Sequence, residues 1–120
     1  VAAGDASRRH WAEDLARRHL EALGWVVLET NYAVRGGEID VIARDGGTVV
    51  FVEVRQRRDA RFGHPAETLD RRKLARWQRT ARHYLALRLR DPDAAVRFDA
   101  VVVLGDERDA RLEHLRDVIG

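Results

Sequence analysis

A chain of 120 residues, 45% hydrophobic, is long enough to bury a core and is expected to form one domain, residues 1–120. It has no cysteine, which excludes disulfides and thiolate metal sites. No signal-peptide pattern is legible and no apolar run approaches the roughly 18 residues of a membrane span, so a cytoplasmic protein with no membrane partner is expected. The net charge is only +2, but it is unevenly spread. Arg55 to Arg90 holds twelve basic and three acidic residues, so this segment carries +9 and the rest −7. Segregated positive charge is the footprint of a polyanionic partner, and also of an Arg-rich solvated helix. Basic charge is almost all arginine: 21 Arg against one lysine, Lys73.

In chain order, 5–23 reads as an amphipathic helix. Asp5 or Ser7 can cap it, Trp11, Leu15, Ala16, Leu20 and Leu23 form a stripe, and Gly24 stops it. Residues 25–34 read as a strand, 35–37 as a turn, 38–44 as a second strand and 48–57 as a third, with a hairpin signal in Asp45-Gly46-Gly47. Residues 58–67 read as a polar loop holding Gly63, His64 and Pro65. A long helix follows, capped near Thr68 or Asp70 and running to about Arg90, with Leu74, Trp77, Ala81, Tyr84, Leu85 and Leu89 as its stripe. Residues 96–104 are a near-continuous apolar strand after Phe98, suited to burial on both faces, and 111–116 make a weak edge strand. The order α-β-β-β-α-β-(β) is that of an α/β domain, a mixed central sheet with flanking helices.

The hairpin carries the chemistry. With Gly46-Gly47 as a two-residue loop, Asp45 pairs with Thr48, which sets Asp40 opposite Glu53, Glu38 opposite Arg55 and Ile42 opposite Phe51. The other face then reads Ile39, Val41 and Ala43 against Val50, Val52 and Val54, all apolar; a three-residue loop would mix charge into both faces. Facing carboxylates repel at the roughly 5 Å of opposed Cβ atoms. A shared proton relieves that, and so does a hard divalent cation such as Mg²⁺. The competing arrangement is a salt-bridge cluster, with Glu38 on Arg55 and Asp40 turned to solvent.

The stretch "GGEIDVIARDGGTVVFVEVRQR" resembles the YraN family of small bacterial proteins, a branch of the PD-(D/E)XK nuclease superfamily close to Holliday-junction resolvases. "AEDLARRHLEALGWVVLETNY", "FGHPAETLDRRKLARWQRTARHYL" and "VRFDAVVV" extend the likeness over nearly the whole chain. The resemblance implies a restriction-endonuclease-like fold and Mg²⁺- or Mn²⁺-dependent cleavage of DNA, branched or otherwise structured. It implies Asp40 and Glu53 as metal ligands, joined by Glu13 from the first helix, whose alternative reading is a solvated acid. Arg55 falls where the superfamily has lysine. Arginine stays protonated, so it holds phosphate well and is a poor general base. Two explanations stand: substitution under the chain's arginine bias, or loss of cleavage with binding retained. Arg57, Arg71, Arg72, Lys73 and Arg76 are the expected nucleic-acid contacts, and the 58–67 loop is placed to close over the site. The three tryptophans fit core stripes better than stacking platforms, and His10, His19, His83 and His114 show no ligand spacing. A junction-cutting enzyme would present two sites, which makes a homodimer the assembly to look for. A nuclease-fold protein that binds without cutting, and a domain whose basic helix docks an acidic protein, are the other readings.

Overall fold

The computed structural model describes residues 2–57 and 71–119, the side chains of 2–10 excepted. The elements run α1 (Ala2–Ala22), β1 (Val26–Val34), β2 (Gly37–Asp45), β3 (Thr48–Arg57), α2 (Arg71–His83), a π-helical turn Tyr84–Arg88, β4 (Ala95–Leu104) and β5 (Arg111–Leu115). The five strands described form one mixed sheet in the order β1-β2-β3-β4-β5, antiparallel throughout except for the parallel β3–β4 pair. The α-β-β-β-α-β-β order is the one read from the sequence. Segment 58–70, with its loop, His64 and the proposed caps Thr68 and Asp70, lies outside the described residues.

Helix α1 ends as its sequence requires. Gly24 takes φ 87, its N–H donates to Glu21 O, and the Trp25 N–H donates to Leu20 O. This is a Schellman ending, and Leu20 and Trp25 close it by packing in one core cluster. The start differs from the expectation: the helix runs from Ala2 through Asp5 and Ser7, so neither caps it. Alanines 2, 3 and 6 are strong helix formers, and extending a helix costs less than starting one.

One helix covers each face of the sheet. Ala12, Ala16 and Leu20 of α1 pack on Val41, Ala43, Val50, Val52, Val101 and Val103. Trp77 and Ala81 of α2, with Tyr84 and Leu85 of the π turn, pack on Tyr32, Ile39, Ile42, Val49 and Phe51. Strand β3 is therefore buried on both sides, with Val49 to Val52 fully enclosed, which is why it reads as a continuous apolar run. Ile39 is a correction. The alternating pattern set it on one face with Val41 and Ala43, which pack under α1, but it packs under α2. The alternation breaks at Asp40, where Asn31, level with it on β1, takes a left-handed φ of 52.

Strand β2 lies close under α2. A Cβ on Gly37 would collide with Thr80 Oγ1, which itself donates to Arg76 O at 2.8 Å. A side-chain-free residue at Gly37 is what lets the helix approach the sheet beside the cleft described below.

Candidate functional site

The Gly46-Gly47 turn sets the register as the sequence predicts: Asp45 pairs with Thr48, Arg44 with Val49, Ala43 with Val50, Ile42 with Phe51 and Val41 with Val52. There the ladder ends. Asp40 and Glu53, and Glu38 and Arg55, are not ladder partners, which corrects the expected direct opposition. The Val54 N–H donates instead to Asp40 Oδ2 at 2.8 Å, so a side chain takes the place of the next backbone acceptor. Strand β3 continues without β2, pairing in parallel with β4 as far as Arg57 on Leu104. The two strands part, and the acidic residues stand at the fork.

On the α2 side of the fork lies a cleft of about 170 Å³, lined by Gly37, Glu38, Asp40, Glu53, Lys73, Arg76 and Trp77. Glu53 is 15% exposed. Its Oε1 lies 2.5 Å from Lys73 Nζ, and its Oε2 lies 3.7 Å from Arg55 Nη2. That Oε2 is buried and, among the described residues, accepts no hydrogen bond. A second cavity of about 80 Å³ opens on the α1 side, lined by Glu13, Asp14, Arg17, Thr30, Asn31, Asp40 and Val41. Asp40 is common to both.

Burial dominates the electrostatics of Asp40. It pushes the carboxyl up to about 6; the Val54 N–H opposes this, and the charges of Glu13, Glu53 and Glu38 add to the rise. Three acids thus bear on a half-buried fourth.

The structure therefore brings Asp40, Glu53, Lys73 and Arg76 to one cleft, with Arg55 touching Glu53. It sets Glu13 across Asp40, in the α1-side cavity. Among the described residues no three acidic or histidine side chains form a group that could hold a metal ion by themselves. Arg57 is exposed at the end of β3, donating to Gln56 O, and Arg71 and Arg72 are exposed at the start of α2. Trp25 and Trp77 are buried in the two cores.

Two features escaped the sequence. Gly37 is required by close packing against Thr80, and nothing in "RGG" distinguishes it from a turn glycine. A buried polar network joins β4, β5 and α1. Asp99, with no exposed surface, accepts from Arg97 Nε at 2.9 Å and from the Asp117 N–H at 3.0 Å, and lies 2.8 Å from His114 Nε2. His114 Nδ1 in turn meets His19 Nε2 at 3.1 Å. The two histidines stand 95 positions apart, so no local spacing announces them.

The sequence model of a family described as "Uncharacterised protein family UPF0102" matches residues 12–103. Curated relatives bear the name UPF0102 protein. One from Beutenbergia cavernae is 47% identical over 112 residues, covering 90% of this chain and 92% of its own. Another from Dechloromonas aromatica is 46% identical over 101 residues, 84% and 82% of the two chains. A third from Deinococcus radiodurans is 41% identical over 105 residues, 87% and 85%. No helix of the described residues is long and apolar enough to cross a membrane.

Proposed function

The chain belongs to the UPF0102 family, and from that premise we propose that it is a metal-dependent endonuclease hydrolysing phosphodiester bonds of DNA, with branched or structured DNA as substrate. The observation that carries the reading is the fork between β2 and β3, which gathers Asp40 and Glu53 in one cleft beside Arg55, Lys73 and Arg76. On this reading residues 1–120 form one nuclease-like domain acting in the cytoplasm.

The donor set suits Mg²⁺ or Mn²⁺. Hard cations of this kind commonly take one or two carboxylates and complete their shell with water and substrate phosphate. Glu53 Oε2, buried and without a hydrogen bond among the described residues, is a ligand atom of the right type, and Asp40 is an acid whose surroundings disfavour its own charge. Asp40 and Glu53 would hold the ion, with Glu13 bearing on Asp40 from the α1 side. When bound, the cation would polarise the phosphate and lower the pKa of an attacking water.

The remaining roles belong to the chain. Val54 holds Asp40 at the fork by donating its backbone N–H to Oδ2, and Asp40 lines the cleft from there. Arg55 and Arg76 are permanently charged, so they bind and neutralise a phosphate and take no proton. The exposed Arg71, Arg72, Arg79 and Arg82 of α2 extend the positive field away from the cleft, and the backbone of a nucleic acid would follow them. Trp77 forms one wall of the cleft.

Arg55 at the lysine position favours a second reading, a nuclease-fold protein that grips nucleic acid without cutting it. Incubating fork, junction and linear DNA with Mg²⁺ or Mn²⁺ separates the two. Cleavage that disappears with Asp40→Asn and with Glu53→Gln supports the enzyme. Salt-sensitive retention on DNA with no products supports the binder. Products undiminished in Asp40→Ala come from a contaminant and leave the enzyme reading without support.

A further inference from the structure

Glu53 already has a cation on it. The Lys73 ammonium lies 2.5 Å from Oε1, reaching down from the first turn of α2, and Lys73 is 39% exposed where Glu53 is 15% exposed. Arg55, 11% exposed and 3.7 Å from Oε2, is the more deeply set of the two basic partners. The two differ in kind. A guanidinium is a planar fork, whereas an ammonium is a compact point charge on a flexible four-carbon stem. In a cleft walled by Glu38, Asp40 and Glu53, the lysine holds the same carboxylate whose Oε2 a divalent ion would take. An ammonium on one oxygen of a carboxylate and a divalent ion on the other repel each other strongly at that range. The stem reaches from the open rim of the cleft, so the ammonium can leave Glu53 without moving the backbone. Arg76, one turn further along the helix, lines the same cleft.

We infer that Lys73 is an exchangeable counter-ion. It neutralises Glu53 in the metal-free protein and is displaced when a divalent cation enters. The released ammonium then joins Arg76 to receive the substrate phosphate. This rests on the nuclease reading above and adds an order to it: the metal enters first, and its entry completes the phosphate site. The one lysine of an arginine-rich chain thus does what arginine would do poorly, because the exchange needs a small charge on a flexible stem.

The test is a Mn²⁺ titration of the full chain without DNA, with free Mn²⁺ read by electron paramagnetic resonance, for wild type, Lys73→Ala, Lys73→Arg and Glu53→Gln. Removing the competitor should tighten Mn²⁺ binding in Lys73→Ala by about 5-fold, the factor that follows from losing a competing ion pair of ordinary strength. Lys73→Arg keeps a cation on Glu53 that exchanges less readily, so it should bind Mn²⁺ no more tightly than wild type. Equal or weaker Mn²⁺ binding by Lys73→Ala, where wild type binds and Glu53→Gln does not, overturns the exchange and leaves the nuclease reading standing. Lys73→Arg binding as tightly as Lys73→Ala overturns it too, because the gain would then come from lost lysine packing. If wild type binds no Mn²⁺ that depends on Glu53, the metal site itself fails and the exchange falls with it.

Discussion

Asp40 Oδ2 accepts a hydrogen bond from the Val54 backbone N–H at 2.8 Å, at the point where β2 and β3 separate. The side chain thus has two functions: one oxygen completes the backbone bonding of β3, and the negative charge sits at the cleft that Asp40 lines. Asparagine can replace the first function and not the second. Asp40→Asn should therefore fold and, without metal at neutral pH, melt at or above the wild-type temperature, yet lose the rise that Mg²⁺ or Mn²⁺ gives wild type. Asp40→Ala strands a buried N–H and should lose about 1–3 kcal/mol of stability in urea. A wild-type-like response of Asp40→Asn to the metal removes Asp40 from the site.

The same residue sets a pH dependence. Its carboxyl is raised from 3.8 to about 6 in the folded chain, chiefly by burial. A raised folded-state pKa means that the folded protein binds the proton more tightly than the unfolded chain. Stability from this source is complete below pH 3.8 and is lost as pH rises through about 6. Urea unfolding of the metal-free protein should show a loss on the order of 1–2 kcal/mol between pH 4 and pH 7, allowing for solvent screening. Saturating Mg²⁺ should flatten that slope, and Asp40→Asn should remove it. A slope unchanged by Asp40→Asn assigns the titration to another group.

Gly37 and Thr80 are a steric pair. Gly37→Ala pushes a methyl group into Thr80 Oγ1 and should cost about 1–3 kcal/mol, as overpacking does. Thr80→Ala removes the obstacle, so the double variant should recover most of the loss. The coupling energy from a double-mutant cycle should be about 1 kcal/mol or more. Strict additivity would show that the helix shifts to accommodate the methyl.

Asp99 is held by His114, Arg97 and the Asp117 N–H. Burial alone would raise its carboxyl, but the bonds from these three outweigh it and keep it below the ordinary carboxylate range. Asp99→Asn leaves the Arg97 guanidinium with Asp45, 3.3 Å away, as its remaining carboxylate partner among the described residues, and should destabilise by about 1–3 kcal/mol, read by urea denaturation. The lowered pKa gives stability that is present above the unfolded value of 3.8 and is lost as pH falls through the folded one. Acid unfolding of Asp99→Asn should show a shallower midpoint shift. A loss under about 1 kcal/mol would mean that the network is solvent-screened.

Arg55→Lys restores a residue able to give up its proton. On the enzyme reading it should raise the DNA cleavage rate by about 10²-fold, the low end of general-base effects. An unchanged rate with unchanged DNA affinity would show that proton removal does not limit turnover.

Much of this site could be read from the sequence because its causes are local. The two-residue glycine turn and the period of a strand fix the pairing from Asp45–Thr48 to Val41–Val52. The apolar stripe from Trp77 to Leu85 fixes which side of α2 meets the sheet. Periodicity cannot say where a ladder stops, so Asp40 and Glu53 looked like opposed partners when they stand at a fork. It also carried Ile39 past a break in alternation that depends on the backbone of another strand.

The sequence by itself determined the order of elements, the hairpin register and the presence of Asp40 and Glu53 at the open end of that hairpin, since these follow from turn chemistry and side-chain alternation within about ten residues. Only the tertiary structure decided what those acids face. Lys73 reaches Glu53 because α2 docks against Gly37, and Glu13 meets Asp40 from the other side because α1 covers the opposite face. His19, His114 and Asp99 converge from three elements. Such contacts depend on how closely packed layers approach each other, and that distance is set by the whole core at once.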